Sequence, residues 1–165
     1  MDKAIFRGAG ASCAILVLVL GLGAGSACAQ EAGGFRDFEG AWSGSGSIAH
    51  ADGRTERLRC AADYAARGDL LSQRLRCRSD STGFDLVNTL RNEGGRLSGE
   101  WVETSRNVRG AVVGRLGRGL MQGTAQGPGF SAGISVTVRG NRQSVAIRAQ
   151  GGDIAAVNIA LARGR

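Results

Sequence analysis

Thr55-Glu56-Arg57-Leu58-Arg59-Cys60-Ala61-Ala62-Asp63-Tyr64-Ala65, the turn Gly68-Asp69, and Leu70-Leu71-Ser72-Gln73-Arg74-Leu75-Arg76-Cys77-Arg78 decide how this chain folds. Apolar and polar residues alternate on both sides of the turn, the period-two pattern of half-buried strands joined as a hairpin. A two- or four-residue loop centred on Gly68-Asp69 sets Cys60 directly opposite Cys77, Ala62 opposite Leu75 and Tyr64 opposite Gln73. On the other face Asp63 meets Arg74, Arg57 meets Asp80, and Arg59 meets Arg78 in a like-charge pair. Directly opposed residues lie about 4.5–5.5 Å apart at Cα, within reach of a disulfide. The crosslink would enclose 16 residues, worth about 3 kcal/mol on chain-entropy grounds.

The same pairing logic extends in both directions. A turn centred on Gly53 places Ile48 opposite Leu58, Gly46 opposite Cys60, Gly44 opposite Ala62 and Trp42 opposite Tyr64, giving one apolar face. A loop centred on Glu93-Gly94 sets Leu90 against Leu97, Asn88 against Gly99, Leu86 against Trp101 and Phe84 against Glu103. Gly140-Asn141 is a favourable two-residue hairpin loop, and it aligns Val138 with Gln143, Val136 with Val145, Ile134 with Ile147 and Ala132 with Ala149. Weaker strands run over Val108–Leu116 and Gly119–Ala125, and Ala155, Val157, Ile159 and Leu161 offer a last matching face. No window carries a helical apolar stripe. The pattern predicts an all-β, antiparallel up-and-down meander of 8–10 strands, which closes into a small barrel because a meander of that length otherwise leaves exposed edges.

The rest of the composition sets the address. In 165 residues there are 28 Gly, one Pro and a formal net charge of +7, with no G-X-Y period and no Pro/Ser bias, which excludes collagen-like and linker-like chains. Residues 1–29 read as a signal peptide: Lys3 and Arg7, the apolar run Ala14–Leu22, and Ala27-Cys28-Ala29 before Gln30. The apolar run is about half the ~20 residues a transmembrane helix needs. Lipid attachment at Cys28 is the alternative form of export. Cleavage after Ala29 leaves 136 residues with 19 Arg, no Lys and 13 acidic residues, a net charge of +6. It also removes Cys13 and Cys28, so that Cys60 and Cys77 remain as an even pair in an oxidising compartment. The expected layout is signal peptide 1–29, polar leader 30–37 and one barrel domain 38–165 in the periplasm or outside the cell. A Lys-free, Arg-loaded composition fits a GC-rich bacterial genome.

Phe38-Glu39-Gly40-Ala41-Trp42 opens the first strand with G-x-W, and here the chain resembles the lipocalin-like (calycin) barrels. A second G-x-W stands at Gly99-Glu100-Trp101. The resemblance implies that Trp42 closes one end of the barrel and that an Arg late in the last strand, Arg163 here, packs across it. The chain departs from the family in lacking a T-D-Y motif, a C-terminal helix and a high aromatic content. More loosely, the mature chain resembles small exported proteins of unknown function from Gram-negative bacteria.

Chemical motifs are sparse. His50 is the sole histidine and falls at a hairpin loop, where it reads as a surface residue. No Ser-His-Asp triad, HExxH site or CxxC pair is present, and Gly117-Arg118-Gly119 lacks the strand-loop-helix setting of a phosphate loop. Glu100 and Glu103 lie three apart on a strand and so face opposite ways. Glu103 falls inward with Arg106 as its nearest ion-pair partner. The sequence therefore predicts a non-enzyme with no cofactor and no metal. Two binding readings remain. In the first, Trp42, Tyr64, Gln73, Asn88, Trp101, Glu103 and Gln143 line the interior and hold a small apolar or amphipathic ligand. In the second, the barrel is filled, and the outward Arg57, Arg59, Arg74, Arg76 and Arg78 attach it to an anionic envelope component. Export removes nucleic acid from the expected partners, and outward Ser and Arg exclude a membrane-spanning barrel.

Overall fold

Ten antiparallel strands follow one another along the chain in a computed structural model that describes residues 34–164. The expected signal peptide, the lipid-attachment alternative at Cys28 and the first half of the polar leader lie outside the described residues. The strands are β1 (Gly40–His50), β2 (Thr55–Arg67), β3 (Leu70–Arg78), β4 (Gly83–Glu93) and β5 (Arg96–Glu103). They continue as β6 (Val108–Gly117), β7 (Leu120–Gly127), β8 (Phe130–Arg139), β9 (Arg142–Gln150) and β10 (Ile154–Arg163). Each pairs with its neighbours in sequence, and β10 returns to pair with β1, so the sheet closes and no strand edge is left over.

The hairpin of β2 and β3 has the expected register. Cys60 faces Cys77, Ala62 faces Leu75, Tyr64 faces Gln73 and Asp63 faces Arg74. The two cysteines are disulfide-bonded with Cα atoms 4.2 Å apart, and both lie on the inner face, 6% and 0% exposed. The β8–β9 hairpin likewise pairs Val136 with Val145 and Ile134 with Ile147 across Gly140-Asn141.

Two registers differ from expectation by two residues each. Gly46, expected opposite Cys60, lies opposite Leu58 in place of Ile48; Gly44 meets Cys60 and Trp42 meets Ala62. The turn is centred on Asp52 rather than Gly53, where Asp52 accepts a hydrogen bond from the Arg54 N–H at 3.0 Å and the Gly53 N–H reaches the His50 carbonyl at 3.1 Å. In β4–β5 the turn is Gly94-Gly95, both with positive φ (59° and 89°), so Leu90 opposes Gly99, Asn88 opposes Trp101 and Leu86 opposes Glu103. A two-residue loop with φ > 0 at both positions matches the twist of the strands it joins. A shift of two preserves which face each side chain occupies, whereas a shift of one inverts it. The inward set therefore survives both corrections. Arg57 and Asp80 do not pair, since β3 ends at Arg78.

Inward residues fill the lumen: Ile48, Leu58, Leu71, Leu75, Leu97, Met121, Val136, Val145, Val157 and Ile159 are all buried. Phe35, at the end of the expected leader, is 1% exposed, and with Phe38 it plugs the end of the barrel where β1 starts. Gly110 lies inward beneath the Trp101 ring, where a Cβ would stand 2.7 Å from the indole nitrogen. Glycine is placed there for close approach. Replacing both disulfide cysteines (Cys60→Ala with Cys77→Ala) is expected to lower unfolding free energy by about 3 kcal/mol while leaving the β-type circular dichroism intact. A urea midpoint equal to that of the unmodified protein would show that the crosslink adds nothing.

Candidate functional site

A polar seam crosses the lumen from β9 to β4. The Gln73 amide donates to the Tyr64 hydroxyl at 3.1 Å, the hydroxyl donates to Gln143 Oε1 at 3.0 Å, and the Asn88 amide donates to Gln73 Oε1. The β2–β3 register places Tyr64 beside Gln73, and the β3–β4 register places Gln73 beside Asn88, so four residues from distant parts of the sequence meet in one line. Burial pushes the Tyr64 hydroxyl well above the ordinary tyrosine range, against the opposing pull of its bonds with Gln143 and Gln73. The phenol therefore stays neutral and bridges two amides. Gln143 is 1% exposed, and its Nε2 has no partner. A buried amide left half-satisfied is costly, commonly by about 1–3 kcal/mol.

Gln73 and Asn88 form the polar wall of an interior cavity of about 60 Å³, whose remaining wall includes Leu90, Leu97, Val112, Met121, Ile134 and Val136. Its makeup is amphipathic, and its volume is far below the ~300–1,000 Å³ of ordinary ligand pockets.

The other residues expected to line the interior sit elsewhere. Trp42 is buried at the plugged end, where its indole N–H donates to the Phe38 carbonyl at 2.8 Å. The Arg163 guanidinium lies 4.1 Å from the centre of the Trp42 ring and binds the carbonyls of Glu39 and Asp37, the latter at 2.7 Å. Trp101 adjoins Asn88 in register but sends its N–H to the Gln126 carbonyl at 3.1 Å and packs on Phe130 with centroids 5.5 Å apart.

Glu103 is 7% exposed and belongs to the end of β5 rather than to the seam. Its carboxylate accepts from the N–H groups of Asp85 at 2.9 Å and Arg106 at 2.7 Å and from the Ser105 hydroxyl at 2.6 Å, with the Arg106 guanidinium at 3.6 Å. Burial pushes its pKa up, but these hydrogen bonds outweigh burial and hold it below the usual glutamate range. The arrangement is a cap on a strand end, with every proton donor already committed to the charged form.

His50, expected as a surface residue, is half-buried and stands 2.9 Å from Glu56, whose other oxygen accepts from the Ser79 hydroxyl. The carboxylate lies between serine and histidine, so the imidazole does not contact the hydroxyl as a nucleophile's base must. The Ser79 hydroxyl bond, with smaller contributions from Ser81 and His50, holds Glu56 below its ordinary pKa against the opposing effect of burial.

Outside, Arg57, Arg59, Arg74, Arg76 and Arg78 are all exposed on one face. Arg76 lies 3.8 Å from Asp63 and Arg78 lies 2.7 Å from Asp85, which takes the neutralising place expected for Asp80. Sequence reasoning missed a second feature, an open cleft of about 620 Å³ at the plugged end, lined by Arg36, Asp37, Arg118, Gly119, Val138, Gly140 and Arg163. It is assembled from the segment before β1, two hairpin turns and the end of β10, and its signal in the sequence was the repeated placement of Arg beside turns. Among the described residues no group of three or more His, Cys, Asp or Glu is positioned to hold a metal ion, and no helix is long and apolar enough to cross a membrane.

The fold and this geometry define a closed, antiparallel ten-stranded barrel, and the clasp of Trp42 by Arg163 is the arrangement that the G-x-W resemblance implies. No family model matches the chain, and no curated protein matches it. Solved structures share its fold. The M. tuberculosis protein Rv2717c is 14% identical with a TM-score of 0.64, the match covering 78% of this chain and 94% of that one. The S-type phycobiliprotein lyase CPES of Guillardia theta is 10% identical with a TM-score of 0.60, over 79% of this chain and 90% of that one. A Nostoc punctiforme protein of unknown function from the DUF3598 family is 12% identical with a TM-score of 0.57, over 80% of this chain and 49% of that one.

Glu103 carries a stability consequence with a definite sign. Its folded-state pKa is depressed, so its contribution is present above the ordinary glutamate value of 4.5 and is lost as pH falls through the lower folded-state value. Thermal midpoints measured downward from pH 5 are expected to fall less steeply in Glu103→Gln than in the unmodified protein. Parallel curves would remove Glu103 from acid sensitivity.

Proposed function

We propose that this chain is an exported, non-enzymatic binding protein of the periplasm or cell exterior that holds a small amphipathic ligand inside its barrel. The observation that carries the reading is the seam Gln143–Tyr64–Gln73–Asn88, which is buried at Gln143 and Tyr64 and half-buried at Gln73 and Asn88, leaves one buried amide nitrogen unpartnered and ends on a cavity with one polar and one apolar wall. A lumen that served as core alone would gain from an apolar residue at position 143, since a buried amide must be satisfied and that of Gln143 is not. The similar barrels include one named as a phycobiliprotein lyase, and a barrel that encloses a ligand is a familiar use of this architecture.

The volume limits the ligand. About 60 Å³ corresponds to roughly two water molecules at ~30 Å³ each, so the occupant has few heavy atoms. That same volume favours a second reading, in which the barrel is filled and works through its arginine-rich exterior on an anionic envelope component.

Native mass spectrometry of the protein purified without denaturation separates the two readings. An adduct of low mass that disappears in Asn88→Leu, a change that fills the cavity and removes the amide, supports the interior site. A bare-chain mass in every preparation leaves the second reading standing. Tyr64→Phe removes the hydroxyl on which Gln73 and Gln143 converge and is expected to cost about 1–3 kcal/mol in chemical denaturation. No loss would mean that the seam does not act as a connected unit.

A further inference from the structure

The net positive charge of the barrel is gathered at one end. Among the described residues, nine arginines and four carboxylates lie in the segment before β1, in the turns after β2, β4, β6 and β8, or within three residues of the strand ends there, a local charge of +5. The opposite end carries seven arginines against six carboxylates, a charge of +1, and the middle is neutral. The exposed hairpin arginines belong mostly to the balanced regions, whereas the plugged end is basic.

A second observation lies in the registers at this end. Arg96 is directly opposite Arg115, and Arg139 is directly opposite Arg142. All four are exposed, and none takes part in the ion pairs that occupy Arg54, Arg76, Arg78, Arg91 and Arg106. Like charges directly opposed across an antiparallel pair are destabilising. A multiply anionic partner reverses that cost, because one anion bridges both guanidinium groups. Between these two pairs in the order of strands lies Arg118, in the turn after β6, and with Arg36 and Arg163 it lines the 620 Å³ cleft. The basic arc thus runs from β5 to β10 around a cleft sized for a headgroup.

We propose that this end of the barrel docks on a membrane surface bearing anionic phospholipid headgroups, with one phosphate group seated in the cleft. The arrangement favours a plane over a linear polyanion. A soluble polyanion is tracked by a stripe of cations along its length, whereas these arginines encircle one pole and would all meet a surface perpendicular to the barrel axis. Each basic side chain close to such a surface strengthens partitioning about fivefold. The inference is independent of the interior seam and names a different surface from the β2–β3 face.

Sedimentation of the full-length protein with vesicles tests it. Binding is expected to vesicles of phosphatidylglycerol and phosphatidylcholine, with none to phosphatidylcholine alone, and to weaken at least tenfold between about 50 mM and about 500 mM salt. Arg139→Glu with Arg142→Glu is expected to weaken binding at least tenfold, and Arg139→Lys with Arg142→Lys to keep most of it. Arg57→Glu with Arg74→Glu on the hairpin face should change it less than twofold, with an unchanged thermal midpoint confirming the fold of each variant. Absence of binding at low salt overturns the proposal, as does an equal loss in the hairpin variant. Release by millimolar inorganic phosphate at constant ionic strength would assign the cleft to the free ion, and tighter binding to dextran sulfate than to vesicles would assign the arc to a soluble polyanion. Either result also overturns it.

Discussion

Closure of β10 onto β1 is the constraint on which the rest of this molecule depends. Among the described residues ten short strands connected only by hairpins have no α-helix to cover them, so an unclosed sheet would expose two rows of backbone donors and acceptors. The pairing of Trp42 with Arg163 marks the last step of that closure. One guanidinium covers the indole face and binds two backbone carbonyls just before β1, tying the first strand to the last. The cation also keeps donors directed at the segment just before β1, so Phe35 and Phe38 are held in the lumen as a plug.

Much of this was legible because antiparallel hairpins are read by parity. Cys60 opposite Cys77 and the β8–β9 pairs follow from alternation plus a turn, whereas the choice of Arg163 for Trp42 came from the resemblance carried by G-x-W. The two registers that slipped did so where turn chemistry, not alternation, decides. Asp52 centres the first turn by binding the backbone two residues on, and Gly94-Gly95, rather than Glu93-Gly94, adopts the two positive φ values of a tight turn. Gln73, Asn88 and Gln143 were recognisable as inward amides. Their connection through Tyr64 was not, since the link from Tyr64 to Gln143 spans 79 residues and depends on barrel curvature.

Glu103 and His50 show where residue type misleads. An inward glutamate and a lone histidine invite a catalytic reading, yet each is committed to local structure. Glu103 gathers backbone N–H groups at the end of β5, and His50 shares Glu56 with Ser79. In both places the anionic form is the one the neighbours favour, as the lowered pKa values of Glu103 and Glu56 record. Carboxylates held this way serve as anchors for loops at the end opposite the plug, where positive and negative side chains are close to balance.

That balance sharpens what the basic end means. If the arginine excess were only a consequence of composition, it would be spread in proportion to exposed surface and diluted by carboxylates equally at both ends. Instead the acidic residues collect at the end with the longer loops, where they cap strands, and the plugged end retains paired like charges that no internal contact relieves. The glycines at its turns have a part in this. Gly94-Gly95, Gly119 and Gly140 adopt positive φ without side chains of their own, so the hairpins turn tightly and the arginines that flank them project beyond the backbone. Tight turns and terminal arginines together gather positive charge around the cleft at this end. The polar seam lies in the lumen behind the aromatic rings of this end, so the proposed surface at this pole and the proposed interior site use different residues of the chain.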